Sequence, residues 1–371
     1  MVRKVLHTLH LWLGLTSGTL LALVALTGCT LAFEDEIRYL AQHDLLYVEE
    51  QDRPQINVEQ VLAVVKQYDP KMKLNQLRYY GEPDKAIQVY ARDRRRIVAV
   101  NPYTGAVLGE RDMKTDVMSV ILSFHRTLLL EKTGETIILW NVWIFLFMLV
   151  SGLVIWLPRK IKQMRQNFSL KLMAAPKKRN YDLHRMLGFY AWVPLFLIAI
   201  TGISMASGGE KGPKVKSTVR PDASGQASPQ STVHNGIYDR VLADVYHQEP
   251  YDMLRVTFPT DSTGVINIGI RYQTSSFRKQ SNFLFDQYSG ALLKTEDYRD
   301  KTFGQTFFGS SYEVHTGRIL GIPGKIVMFL AGLVALSLPV TGFLTWRGKQ
   351  KPSTVHGPQS TADNARSTAR V

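Results

Sequence analysis

The sequence predicts an α-helical membrane protein: four transmembrane helices in a twofold internal repeat, with two small α+β extracytoplasmic modules. Three observations carry this fold class. Four apolar blocks, Leu11–Phe33, Thr136–Leu157, Leu187–Ala206 and Ile326–Trp346, hold 20 to 23 residues each. A helix of that length crosses a hydrocarbon core of roughly 30 Å. Histidines recur at matched places beside the blocks. His10 precedes Gly28, and His184 precedes Gly202, by 18 residues; His125 and His315 precede Gly134 and Gly324 by 9, and Gly152 and Gly342 by 27. Finally, the polar stretches between blocks show helical spacing followed by alternation of apolar residues.

Taken in order, residues 1–33 form the first transmembrane helix and 34–118 the first module, with a helical signal at Asn57–Ala63 and alternation at Ala86–Tyr90 and Ile97–Val100. An interfacial segment and the second helix occupy 119–158, a basic loop 159–183 and the third helix 184–206. Residues 207–236, rich in Gly, Ser, Pro and Lys, read as a flexible linker. The second module, 237–312, repeats the pattern at Ile237–Val245, Val265–Ile270 and Asn282–Phe285. An interfacial segment and the fourth helix fill 313–347, and 348–371 reads as a disordered tail. Both modules end on a shared turn, Tyr103-Thr-Gly105 and Tyr288-Ser-Gly290, where Gly suits a positive φ.

The formal charge of +14 suggests nucleic acid, but its distribution argues for topology instead. Nine Lys/Arg against one acidic residue lie between Arg159 and Arg185, whereas Glu34–Val117 has 13 basic and 15 acidic residues. With Arg3, Lys4, Arg347, Lys349 and Lys351 flanking the outer helices, the positive-inside bias places both termini and the middle loop in the cytoplasm. The six Trp lie within or at the ends of the blocks, several near an end as an interfacial belt requires. The single cysteine, Cys29, excludes an intrachain disulfide. Leu26-Thr-Gly-Cys29 resembles a lipoprotein cleavage site, but Thr27-Gly28 recurs as Thr201-Gly202 deep in the chain, where no signal peptidase acts.

The chain resembles the PepSY-associated transmembrane helix proteins of bacterial inner membranes. The shared marks are His10-Leu-Trp-Leu-Gly14, Asn101-Pro-Tyr-Thr-Gly105, Phe124-His125-Arg126, Trp156-Leu-Pro-Arg159 and Leu183-His184-Arg185-Met-Leu-Gly188, and the likeness extends to about Lys349. It implies PepSY-like periplasmic modules. Because members include haem-bearing reductases that remove iron from ferric siderophores, it also implies a periplasmic ferric siderophore as substrate. Some relatives carry a fused flavoprotein module, and here neither a dinucleotide fingerprint nor a phosphate loop is present. An unidentified cytoplasmic electron donor is therefore expected. Membrane lipid is the other expected partner, nucleic acid is not, and no acid, base or nucleophile constellation marks a catalytic residue.

Topology sorts the histidines into two layers, His10 with His184 near the cytoplasm and His125 with His315 outside. Same-layer pairing gives two bis-histidine sites, suited to two b-type haems per chain with those four residues as axial ligands of the iron. Eighteen residues are five helical turns, so Gly28 lies on the face of His10 about 27 Å away. Gly14 and Gly188 lie one turn from their histidines. Gly28 and Gly202, with Gly152 and Gly342, are expected to clear space for the macrocycle at each layer. Arg126, Arg185 and Arg318 are candidates to pair with propionates. Arg92 and Arg94–Arg96 are either an attractor for an anionic chelate or a charged hairpin tip. His7 rivals His10 one turn earlier, but Tyr181 takes its place in the second half. His43, His234, His247 and His356 lack repeat partners and read as surface residues.

Two rival readings stand beside this one. A haem-free PepSY protein that binds or regulates a peptidase or other partner would use the histidines as interfacial anchors and Gly14-x-x-x-Gly18 for packing. A small transporter is disfavoured by the scarcity of ionisable residues within the blocks, Lys325 apart.

Overall fold

The computed structural model describes residues 1–371 except 94, 159–163, 165–167, 169–172, 174, 208–235, 246–248 and 351–371. The linker, most of the tail, Arg94, His234, His247 and His356 therefore lie outside the described residues.

Three helices are long and apolar enough to span a membrane: α1 (Val2–Ala32), α6 (Glu131–Trp156) and α12 (Gly321–Gln350). A fourth span exists if α7 (Pro176–Tyr190) and α8 (Trp192–Ala206), bent by 61° at Ala191, are read as one. Pro194 has no N–H to offer the Tyr190 carbonyl, which accounts for a break there. Helix α7 begins at Pro176, before His184. Helix α1 packs along α12 and α6, α6 along α8, and α7 along α12. Gly18 makes a close contact with α12: a Cβ there would lie 2.9 Å from Cβ of Pro339. Cys29 is buried in the same seam, its Sγ 3.6 Å from the Phe329 carbonyl.

At one end of the bundle, both halves contribute to one antiparallel sheet of eight strands ordered β4-β3-β2-β1-β5-β6-β7-β8. The strands are β1 (Leu74–Tyr80), β2 (Ile87–Ala91), β3 (Arg96–Val100), β4 (Val107–Asp112), β5 (Tyr251–Thr257), β6 (Val265–Tyr272), β7 (Lys279–Asp286) and β8 (Leu292–Glu296). The two expected modules share this sheet: β1 and β5 pair from Gln76↔Thr257 to Tyr80↔Met253 and join them. Each half alone would leave an open edge of unpaired backbone groups, and the junction removes both.

One face of the sheet is covered by α4 (Val58–Tyr68) and α9 (Ile237–Val245), whose Val61, Val65, Val241 and Val245 pack on Leu77, Val89, Val256, Ile268 and Phe285. Each such side chain contributes roughly 1.5–3 kcal/mol. Asn57 and Gln60 form a capping box that starts α4. The two helices also cap each other, Asp239 Oδ1 accepting from Val58 N at 3.0 Å and Glu59 Oε1 from Tyr238 N at 3.4 Å. The shared turns form as expected, with Gly105 at φ 73° and Gly290 at φ 72°.

Between bundle and sheet lie α2 (Glu34–Ala41), α3 (His43–Leu46), α5 (Val117–Thr127), α10 (Phe303–Gly309) and α11 (Ser311–Thr316). The chain leaves α5 through Leu128, Leu129 and Glu131, all at positive φ. A Cβ at Gly134 would lie 1.6 Å from the Thr127 carbonyl oxygen, and one at Gly324 would lie 2.1 Å from the Gly317 oxygen. These repeated glycines therefore let each spanning helix start against the segment bearing its histidine.

Candidate functional site

His125 owes its position to the start of α5. Asp116 caps that helix, its carboxylate accepting from Ser119 N at 2.9 Å. The same carboxylate takes two bonds from Arg38, at 3.1 and 2.9 Å, and one from Gln42 Nε2 at 2.7 Å. Burial raises the Asp116 pKa, but the hydrogen bonds from Arg38, Ser119 and Gln42 outweigh it and hold the carboxyl well below its ordinary range. On the other half, Arg278 bonds Glu313, two residues before His315, at 2.6 and 3.0 Å. Lys325 pairs with Glu36 at 2.7 Å and Asp35 at 3.2 Å, and Arg318 with Asp35 at 2.7 Å. Helix α2 thereby ties both histidine-bearing segments to the end of α1.

All four repeated histidines point into the bundle onto a matching seat. Nδ1 of His10 lies 2.9 Å from Ser151 Oγ, and Nδ1 of His184 lies 2.9 Å from Thr341 Oγ1. Nδ1 of His125 lies 3.0 Å from Thr27 Oγ1, and Nδ1 of His315 lies 3.1 Å from Thr201 Oγ1. Each of these hydroxyls also donates to a backbone carbonyl of its own helix, as Thr27 does to Val24 at 2.9 Å and Ser151 to Met148 at 3.2 Å. With its proton spent there, the hydroxyl oxygen accepts from the ring. His125 Nδ1 also faces the Val24 carbonyl at 3.0 Å, and a carbonyl only accepts. Nδ1 therefore carries the hydrogen, and the lone pair sits on Nε2.

A glycine follows each hydroxyl beside the ring, and at Gly28 and Gly152 a side chain would crowd it. A Cβ would stand 3.1 Å from Cε1 of His125 at Gly28, 3.2 Å from Cε1 of His10 at Gly152, 3.4 Å from Cε1 of His315 at Gly202, and 3.5 Å from Cε1 of His184 at Gly342. These glycines, expected to clear a macrocycle, lie beside the imidazoles of the facing helices. The hydroxyls Thr27, Ser151, Thr201 and Thr341 are the site residues that sequence reasoning passed over. The repeated Ser/Thr-Gly pair was their signal.

The rings meet in same-layer pairs, as expected. His10 and His184 have centroids 6.5 Å apart with planes at 90°, and His125 and His315 are 6.4 Å apart at 76°. Metal–nitrogen bonds of about 2.0–2.1 Å on both sides, added to two ring radii, span roughly that separation. Among the described residues no group of three or more His, Cys, Asp or Glu is placed to hold a metal ion. Two imidazoles alone suit a cofactor that brings its other ligands with it.

At the His10/His184 layer a cavity of about 560 Å³ opens beside the pair, lined among others by Gly14, Met148, Gly188, Leu338 and Trp346. This is the size of a small-molecule or cofactor site. Arg3 closes one end by bonding the carbonyls of Ile155 and Leu157, the latter at 2.8 Å. His7 lines the wall, but the ring that meets His184 is that of His10. Arg185 also lines the cavity while paired with buried Asp182 at 3.3 Å. Arg126 is exposed beside His125. Arg318, a candidate propionate partner, pairs with Asp35. His43 is a surface residue stacked on Tyr47, as expected.

Comparison with curated proteins finds no match. A family model, by contrast, matches residues 7–349, from before His10 to beyond Gly342, and so takes in every seat and both halves of the sheet. The chain belongs to the PepSY-associated TM region family.

Proposed function

We propose that this chain is a membrane-bound, haem-dependent oxidoreductase of the bacterial inner membrane, passing electrons from an unidentified cytoplasmic donor to a periplasmic ferric siderophore. The observation that carries the reading is the doubled pair: His10 with His184 at 6.5 Å and His125 with His315 at 6.4 Å. Each pair would hold one b-type haem, two per chain, and a haem held by two histidines supplies one-electron transfer. The chain's own residues do the rest. Thr27, Ser151, Thr201 and Thr341 fix the tautomer that frees Nε2 and set the ring planes. Gly28 and Gly152 leave room for the Cε1 edges of the His125 and His10 rings. Phe145, Leu149, Leu195 and Ala335, buried in the bundle, keep water from the space between layers. Termini and basic loop lie on the cytoplasmic side, which puts His125/His315 and the sheet outside. Reduction there weakens the hold of hard oxygen ligands on iron and releases Fe(II).

The visible spectrum of detergent-purified protein, oxidised and dithionite-reduced, tests the proposal. Sharp reduced bands with about two haems per chain are expected, followed by ferric-siderophore turnover. A colourless protein that takes up no added haem would overturn it and leave the shared sheet, as a surface for a protein partner, as the functional part.

A further inference from the structure

The sheet face turned away from α4 and α9 carries a set of arginines that the fold does not neutralise. Arg78 stands directly opposite Arg255 in the β1–β5 pairing, and Arg271 lies diagonal to Arg255 on β6. Strand alternation puts Arg111 and Arg278 on this face too. Like charges placed directly across a strand pair are destabilising. Arg278 is paired with Glu313 at 2.6 Å and Arg271 with Asp252 at 3.7 Å. Among the described residues, Arg78, Arg111 and Arg255 have no carboxylate within ion-pair distance.

Arg255 is the extreme case. Its neighbouring charges are Arg78, Arg278 and Arg271, all cations. Its guanidinium lies against Gly269, where a Cβ would meet Nη2 at 3.0 Å. Nε of Arg111, Arg255 and Arg271 and Oδ1 of Asn267, all on this face, are shut off from solvent with no hydrogen-bond partner among the described residues. Arg78 is held ready by Tyr90, whose ring centre is 4.3 Å below its guanidinium. The arginines singled out in the sequence behave oppositely: Arg96 is paired with Asp69, and Arg92 bonds the carbonyls of Pro259 and Thr260. This face is the bundle side of the sheet, where Arg111 bonds Gln42 of the α2–α3 link and Arg278, paired with Glu313, reaches α11 just before His315.

We propose that this face binds a small oxygen-rich anion through Arg78 and Arg255, and that the anion is a negatively charged ferric chelate held beside the His125/His315 layer. A forked guanidinium matches a carboxylate or similar oxyanion in two parallel bonds. An anion here also relieves the repulsion between the two arginines. The anion site stands on the geometry above, while its identification as a ferric chelate rests on the reductase reading.

The two parts separate experimentally with gallium(III) citrate, which has the charge and shape of the ferric complex but is not reduced. Binding is measured by calorimetry on the full chain in phosphatidylcholine nanodiscs. The double variant Arg78→Gln, Arg255→Gln is expected to bind at least about tenfold more weakly, and Arg96→Gln as the unaltered protein does. Arg255→Gln alone is expected to keep or raise the melting temperature, because it removes an unpaired cation; an arginine needed for folding would lower it. Equal affinity in the double variant overturns the proposal. So does absence of binding combined with retention of phosphatidylglycerol that depends on Arg78 and Arg255, which would assign the face to lipid headgroups. Binding by a protein that holds no haem would leave the anion site standing and sink the reductase reading alone.

Discussion

Thr27 Oγ1 lies 3.0 Å from Nδ1 of His125, and the next residue, Gly28, leaves room for Cε1 of the same ring only because it has no Cβ. One dipeptide thus orients the imidazole and admits it; the hydroxyl contact recurs at Ser151, Thr201 and Thr341, and the tight glycine recurs at Gly152. Thr27→Val keeps the shape and removes the acceptor. Partners of this kind typically change cofactor affinity 10- to 100-fold. Haem content is expected to fall from about two toward about one per chain, with Thr27→Ser restoring it.

The glycines differ in tolerance. A methyl at Gly152 would press on His10 Cε1 at 3.2 Å, while one at Gly188 would meet only Leu338 Cδ2 at 3.7 Å, an ordinary contact. Gly152→Ala is expected to displace the ring and cost the haem proposed for the His10/His184 layer. Gly188→Ala is expected to retain it. Pyridine haemochrome quantification distinguishes the two, and equal loss in both would contradict the seat assigned to Gly152.

Gly134 answers to a backbone constraint. Its Cβ would fall 1.6 Å from the Thr127 oxygen, so Gly134→Ala forces α5 and α6 apart. Overpacking costs of about 1–3 kcal/mol are common, and a clash with main chain belongs at the upper end. A clearly lower melting temperature is expected in detergent, whereas an unchanged melt would show that the α5–α6 turn gives way freely.

Acid stability should depend on Asp116. Its folded-state pKa is depressed, so the stability it contributes is complete above the unfolded value of about 3.9 and is lost as pH falls below it. Asp116→Asn is expected to destabilise the chain at neutral pH by about 1–3 kcal/mol. It should also flatten the fall in melting temperature below about pH 4. An identical acid limb in the variant would place the titrating group elsewhere.

Much of this organisation was legible in the chain. Length and apolar composition marked the spanning helices, because a bilayer demands about 20 apolar residues in a row. Equal offsets from His10 and His184 to their glycines, and from His125 and His315 to theirs, predicted the same-layer pairs. Helical periodicity turns a constant spacing into a constant face. The hydroxyls of Thr27, Ser151, Thr201 and Thr341 were visible as residues but not as partners, since a threonine in an apolar helix bonds its own backbone equally well.

What the sequence by itself determined is the set of local, periodic features: the spans, the repeat, the two histidine layers and the glycine turns at Gly105 and Gly290. Tertiary structure alone decided that β1 joins β5, that α7 and α8 bend at Ala191, and that Arg318 answers Asp35 while the charges around Arg255 are all cations. Periodicity assigns a residue to a face of its own element. Which face meets it across space depends on long-range packing between segments far apart in the chain, and no local pattern encodes that choice.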